Sequence, residues 1–267
     1  MKRTILTFLC VFSAAAPAFC EENSGWLPKK KLFTPFFADL TQPAFALRYT
    51  KVSGGTLAEV NLGDEFGIYR RSLGGGELQF GLAGGAAARF DISKITNDYQ
   101  IADYSLVLPA DYVSGQWAFR AMYWHTSSHL GDDYIKRSGI AASSLRKHVT
   151  DDIRLSAAYS GIKPLRLYAG AGYAFNLIPK DDRRLRFQAG VEAQKPAGAG
   201  EIFAAADIQA LERLGFRPSF CARAGIRRRS ETSSASAFAE FFAGRLPYLG
   251  FMTEAETHWS LGLSFEM

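Results

Sequence analysis

One feature constrains this chain more than any other. A period-two alternation of apolar and polar side chains begins near residue 43 and runs to the C-terminus, with charges in the middle of its polar faces. Successive side chains of a strand point to opposite faces, so this pattern reads as β-structure with one apolar side. Twelve segments bounded by turn residues carry it, roughly 43–52, 64–72, 77–91, 99–113, 117–129, 150–160, 164–176, 185–195, 201–210, 217–229, 234–245 and 257–267. In 164–176, Leu165, Leu167, Ala169, Ala171, Tyr173 and Phe175 share one face, and Arg166, Tyr168, Gly170, Gly172 and Asn176 take the other. Leu185, Phe187, Ala189, Val191 and Ala193 repeat the pattern, as do Phe220, Ala222, Ala224 and Ile226, and Trp259, Leu261, Leu263, Phe265 and Met267.

A soluble sandwich would alternate too, and the polar face discriminates. Arg89, Asp91, Asp103, Arg120, Arg154, Arg166, Arg186, Glu192, Asp207, Arg223 and Glu240 fall mid-segment among many Gly and Ala. Inside a membrane barrel such residues line a lumen and pair across it, while the apolar face meets lipid. The expected fold is therefore all-β: a transmembrane antiparallel up-and-down barrel of about 12 strands. Closure removes the edge strands that an open sheet must protect.

The N-terminus reads as an address. Lys2 and Arg3 precede an apolar run, Ile5–Val11, and Ala18 and Cys20 stand at −3 and −1 of a cleavage site. Residues 1–20 are expected to be a secretory signal peptide, 21–42 a periplasmic or plug segment, and 43–267 the barrel. Cys10 and Cys20 leave with the signal, so Cys221 stands alone, which excludes an internal disulfide and cysteine metal sites. Losing Lys2 and Arg3 lowers the formal charge from +5 to +3. That is too weak a bias to argue for nucleic acid. The expected partners are outer-membrane lipids and the outer-membrane assembly machinery, in a Gram-negative envelope. The last residue, Met267, stands where such barrels commonly end in an aromatic, and Phe265 lies two before it on the same face.

Loop lengths orient the barrel. Leu73–Gly76, Ser114–Gln116, Ser160–Lys163, Pro196–Gly200 and a turn near Glu231 are expected on the periplasmic side. The outer loops are then 53–63, 92–98, 130–149, 177–184, 211–216 and 246–256.

One constellation can carry chemistry. Strand parity puts Trp117, Phe119, Ala121, Tyr123, His125, Ser127 and His129 on one face, the lipid side if Phe119 and Tyr123 mark it. His125 and Ser127, near the outer end of their strand, have Cβ atoms about 6–7 Å apart. An imidazole is the natural base for a weak serine nucleophile. A polar pair is also ordinary at headgroup level, so the pattern admits a purely structural reading. The expected catalytic set is Ser127 as nucleophile, His125 as base, and Asp132 or Asp133 as orienting acid. Asp151 and Asp152 stand at the same rim, and the sequence does not choose among the four. His129, Ser128 and Trp124 are expected as lipid-contact or rim residues. A second reading gathers His125, His129 and Asp132 around a divalent cation such as Ca²⁺.

Several segments together resemble a family of Gram-negative outer-membrane proteins known as a domain of unknown function. They are Trp26–Pro28 with Leu32–Phe33 and Ala38–Asp39, Leu62–Tyr69, Asp103–Tyr104, Ser127–Asp133, Pro164–Tyr173 and Glu240–Gly244. This resemblance implies an outer-membrane barrel and no particular activity. His125-Thr-Ser127 is also similar to the His-x-Ser of outer-membrane phospholipase A and of PagL-type lipid A deacylases, where the pair serves as base and nucleophile on a lipid-facing strand. It implies hydrolysis of acyl esters in phospholipid or lipid A. Those enzymes carry an orienting Asn or Glu further along, where this sequence has Gly139. A narrow pore or structural envelope protein is the alternative, and a soluble periplasmic β-protein comes third. Oligomeric state is not legible.

Overall fold

A computed structural model describes residues 24–141 and 147–267. The expected signal peptide lies outside the described residues. The strands are β1 (Gly25–Trp26), β2 (Phe45–Val52), β3 (Gly55–Leu73), β4 (Gly76–Asp91), β5 (Asp98–Ser114), β6 (Trp117–Leu130), β7 (His148–Ile162), β8 (Leu165–Ile178), β9 (Leu185–Ala197), β10 (Gly200–Leu211), β11 (Ser219–Arg229), β12 (Ser234–Arg245) and β13 (Ala255–Glu266). A short helix, α1 (Asp132–Ser138), follows β6. From β2 to β13 each strand pairs antiparallel with the next. β13 returns to β2, from Phe265 opposite Phe45 to Trp259 opposite Lys51, and closes a twelve-stranded up-and-down barrel.

The apolar faces point outward. Leu62, Phe66, Leu155, Leu261 and Leu263 are among the exposed side chains, the reverse of a soluble core. Charges point inward and pair. Arg120 Nη2 lies 2.6 Å from Glu65 Oε1, and its Nε lies 2.6 Å from Asp111 Oδ1. Arg166 meets Glu192 at 2.9 Å and Arg223 meets Glu240 at 2.5 Å. The pairing answers desolvation, since a charge held in this lumen without its partner would cost several kcal/mol.

The first residue of β2 and the last of β13 lie at the end of the tight turns. Gly74 and Gly75, at φ 56° and 79°, form a two-residue hairpin whose left-handed backbone only glycine adopts freely. The longer connections lie at the opposite end. One expectation changes here. The predicted outer loop 53–63 is mostly strand, because β3 begins at Gly55 directly after a Ser53–Gly54 turn. Its polar Glu59 and Asn61 both face the lumen, where Arg48 donates to Asn61 Oδ1 at 3.1 Å and to Glu59 Oε2 at 3.4 Å.

The N-terminal segment enters the lumen. Phe33 is fully buried between the guanidinium groups of Arg120 (4.3 Å) and Arg166 (5.1 Å). Phe36 stacks on Tyr168 at 3.7 Å. The backbone N–H of Phe37 donates to Glu192 at 2.6 Å, and Asp39 accepts from Gln188 and Gln209 at 2.9 and 3.0 Å. β3 is much longer than β2, and β1 covers part of its leftover edge by pairing Trp26 with Tyr69.

Candidate active site

β6 presents alternate residues to the two sides of the wall. Arg120, Met122, Trp124, Thr126 and Ser128 are buried in the lumen, so Tyr123, His125, Ser127 and His129 face outward. Ser127 lies opposite Tyr104 on β5 and Val149 on β7, and His125 lies opposite Leu106 and Asp151.

The Asp151 carboxylate organises the outward cluster. Its Oδ1 lies 2.7 Å from His125 Nδ1 and accepts from the Tyr123 hydroxyl at 2.7 Å. Its Oδ2 accepts from Asn176 Nδ2 at 2.6 Å. With the carboxylate on Nδ1, that nitrogen carries the proton and Nε2 is left with its lone pair. Three donors satisfy a carboxylate that would otherwise be costly on an apolar face. Around it, Leu106, Ile153, Tyr173 and Phe175 stay exposed and apolar.

Asn176 reaches this cluster through a β-bulge. The β7–β8 register runs Asp152 to Ala174 and then Asp151 to Asn176, so Phe175 is an extra residue. Simple alternation put Asn176 on the luminal side with Arg166 and Gly172. The extra residue reverses parity beyond it, so Tyr173, Phe175 and Asn176 are all exposed. Bulges re-aim side chains in this way and cluster beside active sites.

The other expected residues are dispersed. Asp132 and Asp133 open α1, where carboxylates suit the helix N-terminus. β6 runs on to Leu130, so the strand ends roughly 16 Å beyond His125 at about 3.3 Å per residue. The carboxylate on His125 is that of Asp151, and among the described residues no hydrogen bond joins His125 to Asp132 or Asp133. His129 packs edge-on against Tyr104 with ring centroids 5.7 Å apart. Trp124 and Ser128 do not face lipid, because their parity is opposite to that of His125. Trp124 lies 3.8 Å beneath the Arg154 guanidinium inside the barrel. Ser128 donates to Asp103 and accepts from the Gly250 N–H at 3.1 Å. His125, His129 and Asp132 do not converge, and the described residues hold no group of three or more His, Cys, Asp or Glu placed for a metal. Among the described residues no hydrogen bond joins His125 to Ser127, which leaves the Ser127 hydroxyl free on the lipid side.

The family model for proteins of unknown function DUF1207 matches residues 10–266. The chain belongs to that family. No curated protein matches the sequence. Among solved structures, outer membrane phospholipase A from Escherichia coli is similar with a TM-score of 0.57 at 12% identity, covering 88% of this chain and 94% of that one. The calcium-bound dimer of the Salmonella typhi phospholipase gives a TM-score of 0.55 at 13% identity, with coverage of 88% and 94%. At this identity the likeness is one of fold, an outer-membrane β-barrel.

Proposed function

We propose that this protein is an outer-membrane lipid acyl hydrolase, exported by its N-terminal signal, with Ser127 as nucleophile, His125 as base and Asp151 as orienting acid. One observation carries the reading. A carboxylate–imidazole pair faces outward from an apolar wall, with a free serine hydroxyl two residues along the same strand. A structural rim needs neither the carboxylate nor the bulge that brings Asn176 to it.

The chemistry follows from these positions. Ser127 Oγ attacks the ester carbonyl of a lipid held against the outer leaflet while His125 Nε2 takes its proton. The tetrahedral intermediate collapses, the alkoxide leaves with the proton from His125, and an acyl-serine remains. Water, deprotonated by the same imidazole, releases the fatty acid and restores Ser127. Asp151 fixes the imidazole and stabilises its cationic form, and Tyr123 and Asn176 fix Asp151. The His125–Ser127 contact closes as substrate arrives, since catalytic hydrogen bonds commonly tighten only in the complex. The lumen, crossed by ion pairs and occupied by the segment around Phe33–Asp39, supports this reading over an open pore.

The test compares wild type and Ser127→Ala in detergent with phosphatidylglycerol and with lipid A, following free fatty acid by mass spectrometry with and without Ca²⁺. Release by wild type that falls to background in the variant supports the hydrolase. No release from either lipid under any condition overturns it, and moves the search to single-channel conductance.

A further inference from the structure

The lumen holds a second feature, separate from the outward cluster. At the end of the long loops a cavity of about 130 Å³ opens beneath a 3-10 turn at Glu212–Leu214. Its described lining contains six arginines and three aspartates. The imbalance concentrates around one carboxylate. Asp152 Oδ2 lies 2.8 Å from Arg154 Nη2 and 3.5 Å from Arg186 Nη1. Arg213 lines the same cavity as Asp152 and makes no hydrogen bond or ion pair of its own among the described residues. Burial draws Arg213 down to about 10 despite the attraction of Asp152, with Arg186 adding repulsion.

Other luminal arginines meet carboxylates directly, as Arg166 meets Glu192 and Arg223 meets Glu240. Arg120 has two, Glu65 and Asp111. Here Arg154 and Arg186 share the Asp152 carboxylate, and Arg213 lines the same recess with no ion pair among the described residues. Leftover positive charge in a recess is the electrostatic form of an anion site, and planar guanidinium donors match oxyanions in particular. The remaining wall is polar at Gln209 and apolar at Leu177 and Leu214, so an anion with a small hydrocarbon body fits as well as a bare one.

We propose that this outer vestibule binds an oxyanion, a phosphate or carboxylate group entering from the long-loop side, between Arg186 and Arg213. The site stands independently of the hydrolase reading. Trp124 reports on it, since its ring lines the cavity beneath Arg154.

The test titrates the mature protein in detergent with inorganic phosphate and with cyclohexanecarboxylate at constant ionic strength, reading tryptophan fluorescence against chloride. Trp124→Phe assigns the signal. A saturable response to either oxyanion, absent with chloride, is expected. Phosphate alone or the carboxylate alone would name the head group that fits. Arg213→Gln should weaken binding about tenfold, the scale of one charge-assisted hydrogen bond. Asp152→Asn removes the competing carboxylate and should tighten binding, which loss of folding would not do. A thermal melt confirms that each variant is folded. No saturable response beyond chloride, or an Arg213→Gln variant that binds like wild type, overturns the proposal.

Discussion

Asp151 and Asp152 are neighbours in sequence and stand on opposite sides of one wall. Asp151 faces lipid and is held by a phenol, an imidazole and an amide. Asp152 faces the lumen, accepts from Arg154 and the Thr150 hydroxyl, and has Arg186 nearby. The inner carboxylate is neutralised by permanent charge, the ordinary way to keep an ion out of water. The outer one is matched with an imidazole, whose proton can move. One carboxylate thus meets guanidinium groups and its neighbour an imidazole, and the partners, not the residue type, separate them.

Substitution should separate the two sides. Asp151→Ala should cut ester hydrolysis by about 10³-fold or more, because an unheld imidazole loses its tautomer and its stabilising charge. Its melting temperature should stay near wild type, as checked by a denaturation scan. Asp152→Ala should do the converse, costing about 3 kcal/mol of stability by stranding buried guanidinium groups while hydrolysis survives. Equal loss of activity in both variants would erase the distinction.

The bulge gives a sharper test. Asn176→Leu removes the amide that the bulge brings to Asp151 and should lower the rate about tenfold, the worth of one charge-assisted hydrogen bond. Phe175→Ala keeps the extra residue and should keep the rate. Tyr123→Phe removes only one of three donors to Asp151 and should lower the rate by about threefold, at the low end for a single hydrogen bond. Initial rates on one lipid substrate read all three.

The barrel was legible because membrane strands obey a simple rule. Leu167, Tyr173, Leu261 and Leu263 could face lipid only if Arg166, Arg223 and Glu240 paired inside, and they do. The common face of His125 and Ser127 was legible for the same reason. The carboxylate that meets His125 was not. A single inserted residue at Phe175 leaves alternation on both sides of it intact, so no periodicity reveals that Asn176 has changed face. Asp151 is chosen by pairing between β6 and β7 across a long connection, information absent from either strand alone. Glu59 and Asn61 hid part of β3 because luminal polarity and loop polarity look alike in sequence.

Reaction with a lipophilic fluorophosphonate tests the central claim most directly, since it reports an activated serine whatever the true substrate. The mature protein in detergent should gain one covalent phosphonyl group, which peptide mass spectrometry should place on Ser127, and His125→Ala should not react. No adduct on the wild type, or equal labelling of the His125→Ala variant, would contradict the account.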